Sequence, residues 1–311
     1  MKKLMFVLAI LALLAVPSTA LAGKPGNVWH VPGDFATIQD AIDSDAVLDG
    51  DTIRVGPGNF AGALVTRPVT VMGEGHAVID SGPMHPAGLS QGFRLLEGSD
   101  GATFSHLSFE VDLAIMNGAA VNDVTVTQCR FNNTIQAISN WGGSGWEISH
   151  NTITDLRTRN GGGIGILVAD RSGGVVEDNV VSHNTIVGTL FVDPSDGGGY
   201  NGSGIVLYAD FRWGMAGAQE ISNNRVVKNK VSLVSDTPDV VDVAAFELTD
   251  TRDDPYPAVI FDNSIGFNDF RGTTLQITLT PEDLKDYNDI SRNLGDNRGH
   301  GLHPSLFGPG G

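Results

Sequence analysis

Three short segments of this sequence close on the same kind of ionisable pair. Leu167-Val-Ala-Asp170, Leu207-Tyr-Ala-Asp210 and Glu247-Leu-Thr-Asp250 each end in an aspartate, and Arg171, Arg212 and Arg252 follow within two residues. Should the three aspartates stack on adjacent strands, their charges repel unless something neutralises them. Three remedies exist: pairing with the arginines, a bound cation such as calcium, or a proton held by a raised pKa. The third is the state in which a carboxyl group serves glycoside hydrolysis. Two carboxylates about 5 Å apart then suit retention, and roughly 6.5–9.5 Å suits inversion. A polysaccharide lyase would instead use an arginine as base. The plainest alternative is a set of surface salt bridges at strand ends, common and weak.

Other side chains nearby extend the candidate site. Tyr208, Trp213, Glu247 and Tyr200 are candidate sugar contacts, and Trp141 is a further ring for stacking; packing is the competing role for the aromatics. Asp193-Pro-Ser-Asp196 opens an acidic, Gly-rich stretch in which Asp193 and Asp196 are candidate calcium ligands. That stretch lacks the alternating Asp/Asn spacing and terminal Glu of a helix-loop-helix calcium site, so a plain loop competes with it. Eight His residues are scattered without transition-metal spacing.

Something must bring these residues together, and the sequence carries a repeat that would. Asn179-Val-Val-Ser-His-Asn184 recurs as Asn224 to Asn229, Asn263 to Asn268 and Asn288 to Asn293. Asn151-Thr-Ile153 carries the first half of the motif, Cys129 takes the Asn position, and Leu107 fills the same slot with an apolar residue. From Leu107 through Cys129, Asn151, Asn179, Asn224 and Asn263 to Asn288, the spacings are 22, 22, 28, 45, 39 and 25. Upstream of each motif lies an alternating apolar segment, such as Ile164 to Val168 or Ile205 to Tyr208. Period-two alternation bounded by Gly, Asn, Asp or Ser reads as a strand. A unit near 22 residues suits one turn of a β-solenoid, in which recurring residues stack into ladders about 4.8 Å apart. Inward asparagines at a bend would bond turn backbone and their own copies. By the same alignment Asp170, Asp210 and Asp250 form a ladder, with Asn140 and Asn117 at the matching place in earlier rungs. The residues in excess of 22 fall at 157–163, 187–204 and 232–243, with a shorter bulge at 211–219; loops there would wall one side of the coil.

Residues 28–82 look like the opening of the pectin-lyase-like, right-handed parallel β-helix superfamily, in which a strand and a short helix seal the solenoid's N-terminal end. The residues agree. Ile38, Ala41 and Ile42 are spaced for one helix face, Thr37-Ile-Gln-Asp40 resembles a capping box with Asp34 as a rival cap, and Thr52–Val55 reads as a strand. The expected fold is therefore all-β: a right-handed parallel β-helix with a short N-terminal capping helix. Activity does not follow from the fold. Asp253-Asp254 and Gly299-His300-Gly301 match fragments of the polygalacturonase pattern, but its Asn-Thr-Asp and Arg-Ile-Lys are missing, as are the pectinesterase and pectate-lyase signatures.

The chain's ends and charge set its surroundings. Lys2 and Lys3, an apolar run from Leu4 to Val16, and Ala20-Leu21-Ala22 follow the plan of a bacterial export signal. Residues 1–22 are thus expected to be a signal peptide, 23–294 the β-helix domain and 295–311 a C-terminal tail. Loss of Lys2 and Lys3 takes the formal charge from −17 to −19, which repels nucleic acid and anionic lipid. No membrane insertion of the mature chain is expected. Cys129 is alone, so no intrachain disulfide forms. The resulting expectation is a secreted or periplasmic protein that engages a polysaccharide or other glycan, as a lyase or a glycoside hydrolase. A non-catalytic surface or periplasmic binding module is the alternative.

Overall fold

The structure, a computed structural model, describes residues 26–159, 162–193, 201–295 and 298–300. It is a parallel β-helix. Each complete turn lays one strand on a ten-stranded sheet, one on a seven-stranded sheet and one on a nine-stranded sheet, and every named strand pairing is parallel. A short three-stranded sheet joins from Val175–Glu177 onward.

The core is built from like side chains stacked rung upon rung. Phe93, Ile115, Ile138, Ile166, Ile205, Phe246 and Ile277 share one register position of the nine-stranded sheet and are fully buried. On the seven-stranded sheet Phe109 and Phe131 stack with ring centroids 4.8 Å apart. Burying such columns inside the coil is the main stabilising contribution.

The asparagines form two ladders. In the first, Asn179, Asn224, Asn263 and Asn288 are linked by amide-to-carbonyl bonds of 2.7–2.9 Å between successive side chains. The second runs Asn151, Asn184, Asn229, Asn268 and Asn293. Each carbonyl oxygen in these links also accepts the main-chain N–H of the rung before. Asn151 therefore aligns with Asn184, 33 residues on, not with Asn179 as the motif spacing had it. The strand Glu147–Ser149 pairs with Val180–Ser182, which leaves Val175–Glu177 to begin the three-stranded sheet. Cys129 does stand in an asparagine place: its N–H donates to Asn151 Oδ1 at 3.0 Å.

Helix α1 (Ile38–Asp43) covers the N-terminal end with Ile38, Ala41 and Ile42 buried. Thr37 is its cap, closing a reciprocal box with Asp40, whereas Asp34 accepts the His30 amide instead. The expected loops are shorter than their sequence excess, because the flanking strands lengthen into them: Thr185–Phe191 and Asn201–Ala209 take up nine residues of 187–204, and Lys230–Ser235 takes up 232–235. Arg298–His300, placed in the tail from sequence, pairs with Leu275–Thr280 and extends the nine-stranded sheet. Residues 1–22 lie outside the described residues.

Candidate functional site

The nine-stranded sheet carries the candidate residues at the ends of three long strands: Gly162–Asp170, Asn201–Ala209 and Val243–Asp250. Their register corrects the expected ladder. Ala209 pairs with both Asp170 and Asp250, and Asp210 follows one residue later. The cause is the apolar alternation: Ile166 and Val168 must meet Ile205 and Leu207 inside the coil. A one-residue slip to match the aspartates would turn Tyr208 inward. Likewise Asn140 pairs with Val168, two residues before Asp170.

Each aspartate closes its own turn. Asp170 accepts the Ser172 N–H and hydroxyl on Oδ1 and the Gly174 N–H on Oδ2. Asp210 accepts the Arg212 N–H and Nε at 3.1 and 2.9 Å. Asp250 accepts the Arg252 N–H, and the Arg252 guanidinium at 2.6 Å. Arginine pairing thus serves Asp210 and Asp250, and backbone amides serve Asp170. The three aspartates are 1–5% exposed and the Arg212 and Arg252 side chains 25% and 20%, so the two ion pairs are part-buried at the strand ends. The arginines also form a stepped array over rings: Arg171 over Trp141 at 5.5 Å, Arg212 over Tyr208 at 5.4 Å and Arg252 over Phe211 at 4.8 Å. Cation–π contact of this kind strengthens when water is excluded.

Glu247 sits on the face opposite the core, in register with Val206 and Thr278, and is fully buried. The Ser203 and Thr249 hydroxyls donate to its two oxygens at 2.7 and 2.8 Å. Burial outweighs these bonds and the nearby Arg212, and pushes its pKa up to about 7. Burial likewise pushes the Tyr208 phenol up. Ser203 was not legible as a site residue, because only the packing of neighbouring strands puts it beside Glu247; Thr249, two residues on along the same strand, could have been found from the period-two alternation. On this same face Met116, Trp141, Ile164, Leu167, Val206 and Tyr208 form a second buried apolar cluster.

Trp213 belongs to a short 3-10 turn, Arg212–Gly214. Asp193 is exposed, and its N–H donates to the Thr158 hydroxyl. Tyr200 and Asp196 lie outside the described residues. Among the described residues no group of three or more His, Cys, Asp or Glu is arranged to hold a metal ion. An open groove of about 400 Å³ lies elsewhere, on the seven-stranded sheet, lined by His76, Ser108, Glu110, Arg130, Asn132 and Thr152 among others.

A cell surface glycoprotein of Methanothermus fervidus is 26% identical over 255 residues, which is 76% of this chain; the chain spans 39% of that relative's length. Among solved structures, the catalytic domain of a GH87 alpha-1,3-glucanase in complex with nigerose matches at 13% identity and a TM-score of 0.31. It covers 87% of this chain and 69% of its own. A variant of that domain in complex with tetrasaccharides matches at 12% identity, again with a TM-score of 0.31, over 89% and 68%. Superpositions this loose transfer no site. The family described as right handed beta helix region matches residues 89–245, half of the sequence. With every strand pairing parallel and the asparagines stacked along the coil, the chain belongs to the right-handed β-helix family.

Proposed function

We propose that this chain is an exported or cell-surface β-helix that engages carbohydrate at the strand end where Asp210 and the part-exposed Arg212 stand beside the buried Tyr208 and Glu247. The observation that carries the reading is the state of Glu247: a carboxyl group held by two hydroxyls, with a pKa near 7, close to an Arg212 already paired with Asp210. A carboxyl group that can hold its proton near neutrality is what the general acid of glycoside hydrolysis needs. Against burial, the Asp210 carboxylate holds the Arg212 pKa above its usual value, which disfavours Arg212 as the base of a lyase. The surface address rests on the export-like residues 1–22 and on similarity to a cell surface glycoprotein. Among the described residues no helix is long and apolar enough to cross a membrane.

The test is a panel of neutral and acidic glycans, assayed with calcium and with chelator. Turnover by the native chain, lost in Asp210→Ala and Glu247→Gln with folding intact, supports an enzyme. A second reading, a non-catalytic surface module, is favoured by one observation: the oxygens of Asp170, Asp210 and Asp250 are committed to turn amides and arginines. Glycan binding without product supports that module, and no glycan response at all removes the carbohydrate reading.

A further inference from the structure

The ten-stranded sheet is flanked by two bends, and the residues on them divide by charge. Before the strands, Asp123, Asp178 and Asp262 occupy left-handed positions with φ of 54–58°, with Gly145 and Asn223 as their counterparts on other rungs. Asp100 and Glu147 stand beside them, and all five acids are exposed. After the strands, the left-handed position is taken in turn by His106, Gln128, His150, His183, Lys228, Phe267 and Arg292, again all exposed. Not one is acidic, in a chain with 36 acids and a net charge of −17. Arg130 and Lys230 reinforce this edge from the neighbouring sheet. The exceptions are few: Asp269 on the basic edge is paired with Arg271, and Arg225 lies near the acidic one.

Between the edges one outward column runs Ser105, Thr127, Ser149, Ser182, Val227, Gly266 and Ser291, none larger than valine, so another surface can approach closely over these seven rungs; before Ser105 the same column holds Met72 and Arg54. The His150 and His183 rings lie parallel, 4.9 Å apart, which spaces the side chains of this edge at the rung repeat.

We propose that this face is a homodimer interface whose occupant is a second copy of the chain, related by a twofold axis parallel to the coil. That operation reverses left and right but keeps the coil direction. The acidic edge of each copy then lies over the opposite edge of its partner: on like rungs Asp178 faces His183 and Asp262 faces Phe267, while Lys228 and Arg292 lie one rung to either side of Asp262. A twofold perpendicular to the coil within the interface would set acid against acid, so charge selects the parallel arrangement. Five residues of width by seven rungs give about 550 Å² per copy, or roughly 1,100 Å² in total, just above the roughly 1,000 Å² that a specific interface needs. The pairing is isologous and closes on itself. Both copies are strongly acidic overall, so the association depends on local pairing and weakens with salt. It uses a different sheet from the carbohydrate reading and stands independently of it.

Analytical ultracentrifugation of the full chain tests the proposal. The expected result is twice the monomer mass at low salt, shifting toward monomer in 1 M NaCl. Lys228→Glu with Arg292→Glu, and separately Asp178→Lys with Asp262→Lys, should each weaken dimerisation at least tenfold. Mixing the two variants should restore a dimer, because the reversed acidic edge of one meets the reversed basic edge of the other. All substitutions are on exposed residues, and circular dichroism checks folding. A native chain that stays monomeric at low salt overturns the proposal. So does a dimer indifferent to both double variants, or a mixture that fails to reassociate.

Discussion

Asp170 and Asp250 occupy the same register position of the nine-stranded sheet, two rungs apart, with Ala209 between them. Two rungs put them about 10 Å from one another along the coil. They do not share a proton; each holds a separate turn. Asp210, one residue beyond the ladder, holds the turn between them and receives its N–H bond partner from the chain: its own amide donates to the Asp170 carbonyl at 2.9 Å.

The buried pair Asp250–Arg252 should therefore be a stability element. Asp250 is 1% exposed and engages both guanidinium and backbone. Asp250→Ala leaves a largely buried guanidinium without its counter-charge, and the expected loss is about 3 kcal/mol, read from the urea midpoint. Asp250→Asn should lose less, since it keeps an acceptor for the Arg252 amide. A midpoint unmoved by the alanine variant would show that the turn does not need the carboxylate.

Glu247 should make stability depend on pH near neutrality. Its folded pKa, about 7, is raised above the ordinary 4.5, so the folded chain holds a proton that the unfolded chain releases. The contribution is complete below about pH 4.5 and disappears as pH rises through about 7. Its size is on the order of 3 kcal/mol. Unfolding by urea between pH 4 and 8 should show the native chain losing stability over that window relative to Glu247→Gln. Parallel curves for the two proteins would mean that Glu247 is ionised in the fold.

Phe267 holds φ of 61°, in the left-handed region that glycine enters without penalty. It is exposed and contacts the Arg292 guanidinium at 5.3 Å. Relief of roughly 1 kcal/mol of backbone strain should outweigh that surface contact. Phe267→Gly is expected to raise the melting temperature slightly, and a lower one would show that the ring contributes more than the bend costs.

The coil was legible because its signals are local and repeated. Asparagine motifs, alternating apolar strands and the Thr37 capping box each name their own place. Register was not, since Leu-Val-Ala-Asp and Leu-Tyr-Ala-Asp look alike as strings while the interior counts only Ile166 against Ile205. One residue of offset separated the expected aspartate ladder from the observed one. Asn151 was displaced for a similar reason: an extra strand at Val175–Glu177 lengthened the rung, and the motif count could not see it. The pairing of Glu247 with Ser203 crosses 44 residues and exists only once that register is set.

Cys129 offers the most direct test of the ladder itself. Burial pushes its thiol up to about 12, so it should resist alkylation until the chain unfolds. Its sulfur lies 3.7 Å from the Phe104 carbonyl, the place that Asn151 and Asn184 fill with amide bonds to Val126 and Ile148. Cys129→Asn would set a carboxamide nitrogen between the Phe104 carbonyl and Asn151 Oδ1, lengthening the second ladder by one rung. Each added bond contributes about 1 kcal/mol once exchange with water is counted. Part of that is lost to fitting a slightly larger side chain into a packed interior. The expected outcome is a higher urea midpoint with unchanged slope. A lower midpoint would mean that the rung above, capped by Leu107, leaves the new carbonyl oxygen without a well-placed donor.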